Sequence, residues 1–326
     1  MRLRPLIKAQ RGLHWLLIFL LPFITTGCQM TPCHLEPNIS YPPPSAKLCH
    51  LPSSFEPLSQ EELLQDWGKE LMMGEKFTRE WDLYRAISCF KRAKMLIPMD
   101  QVERRLQIDY DLLLAYYFGQ KYNEVISQFE TSDLIYVNQL FPPFSNMLIL
   151  LYDSYSEMNL DVKAEAILET IQKCSLETAE DLSLYWMIKN GEIDEVQNQI
   201  AIHRNAADLQ PDLDLYTENI KSPKKARLLN AIFPGAGYYY VGLKKSAITS
   251  FLINTLFTYA AYQFFKRGYP AAGIITTSLE TGWYLGGING AGIEAQQFNN
   301  RLYEGTMKKM LKDQKMFPML MFETSF

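Results

Sequence analysis

The chain has 326 residues, 48% of them hydrophobic and 21% charged, which is enough for one sizeable core or two smaller ones and too apolar for a disordered chain. Its net charge of −4 hides a division: residues 221–326 carry 13 Lys+Arg against 5 Asp+Glu, whereas residues 28–220 carry 15 against 31. An acidic soluble part without the basic, aromatic-interleaved patches of a nucleic-acid binder therefore precedes a basic part suited to anionic headgroups.

The chain opens on Arg2, Arg4, Lys8 and Arg11, continues with an apolar run from Trp15 to Ile24, and reaches Cys28 through Thr25-Thr26-Gly27. A basic start, an apolar stretch too short for a comfortable span and small residues after it make an export signal. The residues leading into Cys28 resemble a bacterial lipobox, which implies a signal peptide over 1–27 and lipidation of Cys28. An uncleaved anchor and a chance pattern are the other readings. Residues 28–57 are rich in proline and serine, include Pro42-Pro43-Pro44, and read as a linker. Cys33-His34 and Cys49-His50 lie within it, but adjacent side chains of an extended chain point to opposite sides, so no metal site is expected. A Cys33–Cys49 disulfide and two unpaired thiols both stay open at this point. Cys89 and Cys174 fall in helical apolar patterns and read as small buried residues.

From Leu58 the apolar residues take helical spacing. Ala86, Phe90, Ala93 and Pro98 stand at A-x3-F-x2-A-x4-P, downstream of Gly74 and Phe77. This pattern resembles a tetratricopeptide repeat, in which small side chains let two antiparallel helices meet, large ones fill the gap to the next pair, and proline ends the second helix. Val125 and Phe129 hold the positions of Ala86 and Phe90 thirty-nine residues on, and Ala164 and Leu168 hold them after another thirty-nine. A fourth unit, Lys189 to Ile200, places Gly191 in Gly-Glu-Ile-Asp-Glu-Val, a match to the family's turn. The resemblance spans roughly 58–205 and implies a protein-interaction module, whose acidity favours a basic or amphipathic partner segment by steering. No catalytic constellation emerges: there is no nucleophile elbow, Walker loop or HExxH, and His203 reads as a surface or packing residue. The chain is therefore expected not to be an enzyme and to need no cofactor or metal.

Residues 206–225 are polar and then basic, and read as a linker. Pro234-Gly235-Ala236-Gly237-Tyr238-Tyr239-Tyr240-Val241-Gly242 has the form P-G-x-G-x-x-Y-x-G. It resembles the motif heading small membrane domains of two short hydrophobic helices in bacterial envelope proteins, and implies such a domain over 226–305 without implying an activity. Pro234 would end a helix, Gly235 and Gly237 would take positive backbone dihedrals, and the tyrosines would sit at headgroup level. Ile248 to Phe265 has no formal charge and reads as a transmembrane helix; Ala271 to Ala291 is a second candidate. Gly282, Gly286 and Gly290 would give it a face for close packing. Lys266-Arg267, Gly268 and Pro270 supply the turn. Glu280 is costly inside an apolar segment, and Asn254 is one partner for it. Residues 306–326 form a tail ending at Phe326, which resembles the closing strand of an outer-membrane barrel without the alternating strands that a barrel needs.

The expected fold is all-α, a tetratricopeptide-like helical-hairpin array followed by a short transmembrane helical hairpin. The expected function is that of a non-enzymatic, membrane-anchored interaction scaffold of the bacterial cell envelope. It would hold a protein partner on a periplasmic array and contact membrane lipid, the inner membrane being favoured over the outer. The alternative is an oligomeric channel or transporter subunit that uses the C-terminal hairpin and Glu280.

Overall fold

The computed structural model of the chain describes residues 35, 37–41, 48 and 51–326. The lipobox with Cys28, the Trp15–Ile24 run and both Cys-His pairs lie outside these residues. Among the described residues every regular element is helical, and the β structure is a single isolated bridge. Two compact units account for the chain: 38–213 with 306–326, and 214–305 with residues 35 and 37.

The first unit contains α1 (Gln60–Leu64), α2 (Asp66–Arg79), α3 (Leu83–Leu96), α4 (Val102–Phe118), α5 (Tyr122–Glu130), α6 (Phe144–Glu157), α7 (Asp161–Cys174), α8 (Leu176–Asn190) and α9 (Ile193–Ile202). The chain enters through a capping box, in which Ser59 and Glu62 satisfy each other's backbone N–H. Arg104 on α4 clamps that entry by donating to both Glu62 carboxylate oxygens and to the carbonyls of Glu56 and Pro57. This guanidinium lowers the Glu62 pKa. Each helix then packs on the next one along the chain, as in a repeat array.

The turns show the repeat most plainly. Trp81, Gln120, Asn159 and Gly191 all have positive φ (60°, 54°, 55° and 76°) and each sits between the two helices of a pair. In every case the next residue donates its N–H to the carbonyl five positions back: Asp82 to Phe77, Lys121 to Tyr116, Leu160 to Tyr155 and Glu192 to Met187. This is the left-handed helix stop of a Schellman motif, made four times. Only the fourth carries glycine, so the sequence alone flagged that one and missed the other three.

Gly74 of α2 faces Phe90 of α3 so closely that a Cβ there would overlap the ring. Phe90, Tyr110, Leu112, Leu113, Leu114 and Tyr117 are fully buried, and this unit holds most of the large side chains of the core. Two segments expected to lie free belong to it. Within the presumed linker, Ile39 and Leu48 are buried, and Ser53 bridges to Ser325. Within the presumed tail, Met307, Met310, Leu311, Met316, Phe317 and Phe322 are buried.

The remaining helices are α10 (Ala206–Asn219), α11 (Pro223–Ile232), α12 (Ala236–Val241), α13 (Lys244–Lys266) and α14 (Pro270–Asp313). The expected linker at 206–225 is thus mostly helical, with Leu209, Leu213 and Tyr216 buried among polar neighbours. Gly268 at φ +80° makes the turn between α13 and α14, and Pro270 opens α14 at the one helical position where its missing N–H costs nothing. The expected transmembrane hairpin is corrected. No helix among the described residues is long and apolar enough to cross a membrane. Asn254, Gln263 and several threonines dilute α13, and Glu280 with the threonines at 276, 277 and 281 dilutes α14.

Candidate functional site

In the array unit, the packing residues stand on the second helix of each pair. Ala86, Phe90, Ala93, Val125 and Ala164 are buried, Phe129 is half-buried, and Pro98 is exposed just past the end of α3. Cys89 is buried, whereas Cys174 is exposed at the end of α7, contrary to expectation. His203 is buried, its Nδ1 accepting from the Asn205 N–H and its Nε2 lying 3.2 Å from Asp181 Oδ1. Arg204 binds the same carboxylate at 2.5 Å, so the pair ties the last helices of the array together.

A face of this unit formed by α3, α4, α6 and α8 is covered by residues 317–326. Phe317 stacks on Tyr41 at 4.6 Å and meets Tyr185 of α8 edge-on at 5.8 Å. A short 3-10 turn, Pro318–Leu320, rests on α6. Phe322 lies 5.8 Å from Tyr117 and 6.0 Å from Phe118, and Phe326 lies 6.2 Å from Phe90 and 5.7 Å from Phe118. Polar anchors fix the register: Asn146 Nδ2 donates to the Thr324 carbonyl at 3.0 Å, and the Ser325 N–H to the Pro52 carbonyl at 2.9 Å. The tail thus runs from the fourth helix pair to the first.

Beside it lies a partly buried polar chain. Tyr117 donates to Asp153 Oδ2 at 2.7 Å, Lys189 pairs with Glu157, and the Lys189 ammonium sits 4.2 Å above the Trp186 ring. Burial pushes the Asp153 carboxyl up to about 6 against the pull of Lys189 and Tyr117. Burial likewise raises the Asp111 carboxyl well above its ordinary value. No three of His, Cys, Asp and Glu among the described residues are grouped to hold a metal ion.

In the second unit the glycine motif folds around Asn230. The Asn230 side-chain oxygen accepts from the N–H of Gly235 at 2.9 Å and of Gly237 at 3.3 Å. Gly235 has φ +93°, and a Cβ there would overlap the Ala247 carbonyl oxygen. Gly237 is helical, not left-handed as expected; its glycine is required because a Cβ would overlap the Ala226 carbonyl and crowd Ala291. Gly242 supplies a second positive φ, at +93°, to end α12. Tyr240 accepts from the Ser222 N–H, and the ammonium groups of Lys221 and Lys225 lie 5.5 and 5.1 Å from its ring centroid. Pro234 lies in the turn between α11 and α12 and lines two grooves described below.

The core beneath this motif is built of small side chains, Ala226, Val241, Ala291 and Ala295. Many large side chains of α13 and α14 face outward: Leu252, Leu256, Tyr259, Tyr262, Ile275, Leu279 and Trp283 are all exposed, Leu256 at 64% and Trp283 at 54%. Of the expected close-packing glycines, only Gly290 is close to a neighbour, the Tyr238 hydroxyl; Gly282 and Gly286 face open space. Glu280 and Asn254 line one groove, but no hydrogen bond joins them, and Glu280 Oε2 and Asn254 Oδ1 are both buried without a partner. Comparison of the chain with protein-family models, curated proteins and solved structures finds no match.

Proposed function

We propose that the chain is a non-enzymatic scaffold of the bacterial cell envelope that works at a lipid surface, with its acidic helical array available to a basic or amphipathic protein segment. The single observation that carries the lipid half is the outward apolar face of α13 and α14, seven large side chains of which were named above. Exposed apolar surface on this scale marks an interaction site. Its charge context selects the partner: Lys221, Lys224, Lys225, Arg227, Lys244, Lys245, Lys266, Arg267 and Arg301 belong to residues 214–305 of the same unit, against Asp214, Glu218, Glu280, Glu294 and Glu304. An apolar face among basic groups suits anionic headgroups over a hydrocarbon boundary, and helices too polar to span can still lie in that boundary.

The test uses the full chain carrying Cys28→Ser, which separates this surface from any acyl anchor. It should float with vesicles containing phosphatidylglycerol and float less with phosphatidylcholine alone. Leu256→Asp combined with Leu279→Asp should reduce flotation at least tenfold while leaving the helical content unchanged. A chain that stays at the bottom of the gradient with anionic vesicles at low salt overturns the reading. So does a double variant that floats as well as its parent.

A further inference from the structure

We infer that the groove between α13 and α14 binds an ammonium-headed amphiphile, with the head held at Glu280 and Asn254 and the apolar tail against Phe251 and Phe233. The groove encloses about 750 Å³, within the range of small-molecule sites. Asn254 is 5% exposed, and its Nδ2 donates to the Ser250 carbonyl at 2.6 Å. That bond fixes the orientation of the amide, so the oxygen left without a partner cannot be exchanged for the nitrogen. Glu280 Oε2 is the second buried acceptor without a partner in the same groove.

Three of the hydroxyl donors that line the groove are already committed, and none of Thr258, Tyr259 and Tyr262 donates to either acceptor. The hydroxyls of Thr255 and Thr281 donate to the carbonyls of Phe251 and Thr277, and the Tyr284 hydroxyl donates to the Ala231 carbonyl. No Lys, Arg or His lines the groove. Two orphaned acceptors, one of them a carboxylate, call for a ligand that brings both donors and positive charge, because buried acceptors are costly when unmet. Tyr259, Tyr262 and Tyr284 in the walls offer ring faces that suit the same cation.

A second groove of about 740 Å³ shares Pro234 and Phe251 with the first. It is lined by Leu229, Phe233 and Ile248 and has no charged side chain, so it can take the ligand's hydrocarbon tail. Head and tail sites therefore join at two common residues. The inference deepens the lipid-surface reading by naming the headgroup chemistry, yet it also stands with a free long-chain amine.

The test is calorimetric titration of the full chain with dodecylammonium, dodecanol and dodecyl sulfate below their micelle concentrations. Dodecylammonium should bind at least tenfold tighter than the other two. Glu280→Gln should lose at least tenfold for the ammonium alone and keep its affinity for dodecanol, and Asn254→Ala should weaken the ammonium in the same direction. Equal affinities for the three probes, or an undiminished ammonium affinity in Glu280→Gln, overturns the inference. Vesicles separate the sources: if the natural ligand is a lipid, adding phosphatidylethanolamine to phosphatidylglycerol vesicles strengthens flotation of the parent chain but not of Glu280→Gln. If it is a free amine, the titration holds and phosphatidylethanolamine adds nothing. Failure to float on phosphatidylglycerol vesicles would remove the lipid-surface proposal while the titration still decides this one.

Discussion

The array unit and the α13–α14 hairpin of the second unit dispose of their large apolar side chains in opposite ways. The array unit buries them: Phe90, Tyr110, Tyr117 and Phe317 are all below 3% exposed. It even packs residues 317–326 against one of its faces. The glycine-rich unit packs alanines beneath its motif and buries Tyr216 and Tyr303, yet presents the leucine, isoleucine, tyrosine and tryptophan side chains of α13 and the first half of α14 outside. A core of small residues allows helices to approach closely but removes little apolar area from water, at roughly 25 cal/mol per Å² buried. Composition alone therefore does not say which surface meets water; the direction in which the large residues face does.

The largest expected effect breaks the closed end of this comparison. Deleting residues 317–326 should destabilise the array by more than Phe322→Ala alone, for which a buried position predicts a loss of ~3–5 kcal/mol. Urea unfolding of both variants checks this, and unchanged midpoints would mean that the tail is not part of the core. A helical array with one face already covered by its own tail also has a consequence for partners. A partner segment must either displace the tail or use another face, and crosslinking to the full chain and to the deletion variant separates these routes.

Glycine substitutions sharpen the contrast at the next level. Gly237→Ala forces a Cβ into the Ala226 carbonyl and should cost on the order of 1–3 kcal/mol. Gly282→Ala, in open space on a helix, should instead stabilise by up to ~1 kcal/mol through helix propensity. Thermal unfolding of the two variants should move in opposite directions. Equal losses would mean that α14 packs a neighbour at Gly282.

The partly buried polar chain of the array adds a pH test. The Asp153 carboxyl is pushed from 3.8 up to about 6, so between these values the folded state holds a proton that the unfolded chain has released. Its contribution to stability therefore falls as pH rises across that window and is level above it. Relative to the parent, Asp153→Asn should gain stability from pH 4 to about 6 and keep a constant difference beyond. Urea midpoints that track each other at every pH would contradict this.

The smallest effect concerns the repeated turns. Asn159→Gly relieves a left-handed residue and should stabilise by ~1 kcal/mol or less, whereas Gly191→Ala should destabilise by a similar amount. Chemical denaturation resolves both.

The sequence made the helix pairs legible wherever small and large residues recur at fixed spacing, as at Ala86 and Phe90 and their counterparts thirty-nine residues on. It marked the glycine motif but not the reasons for its glycines, because a positive φ at Gly235 and a close approach at Gly237 leave the same letter. Three of the four left-handed turns were hidden: Trp81 and Gln120 are not turn formers by composition, and Asn159, which tolerates the left-handed conformation, stands in no glycine-marked turn. The tail was the main omission: Met319 to Phe326 has no periodicity, and its packing on Tyr117 and Phe90 depends on contacts some two hundred residues away. The apolar run of α13 suggested a span because charge was counted and uncharged polar residues were not.

The most direct measurement places two labels on the two units. With the native cysteines replaced by serine, Leu256→Cys on α13 and Val162→Cys on α7 are each labelled with bimane; both native side chains are exposed, at 64% and 88%. With phosphatidylglycerol vesicles, the label at 256 should be quenched by doxyl groups on the lipid chains and shielded from aqueous iodide. The label at 162 should behave in the reverse way. Iodide quenching both labels alike, with no effect of the doxyl lipid, would contradict the assignment of the outward apolar face to lipid.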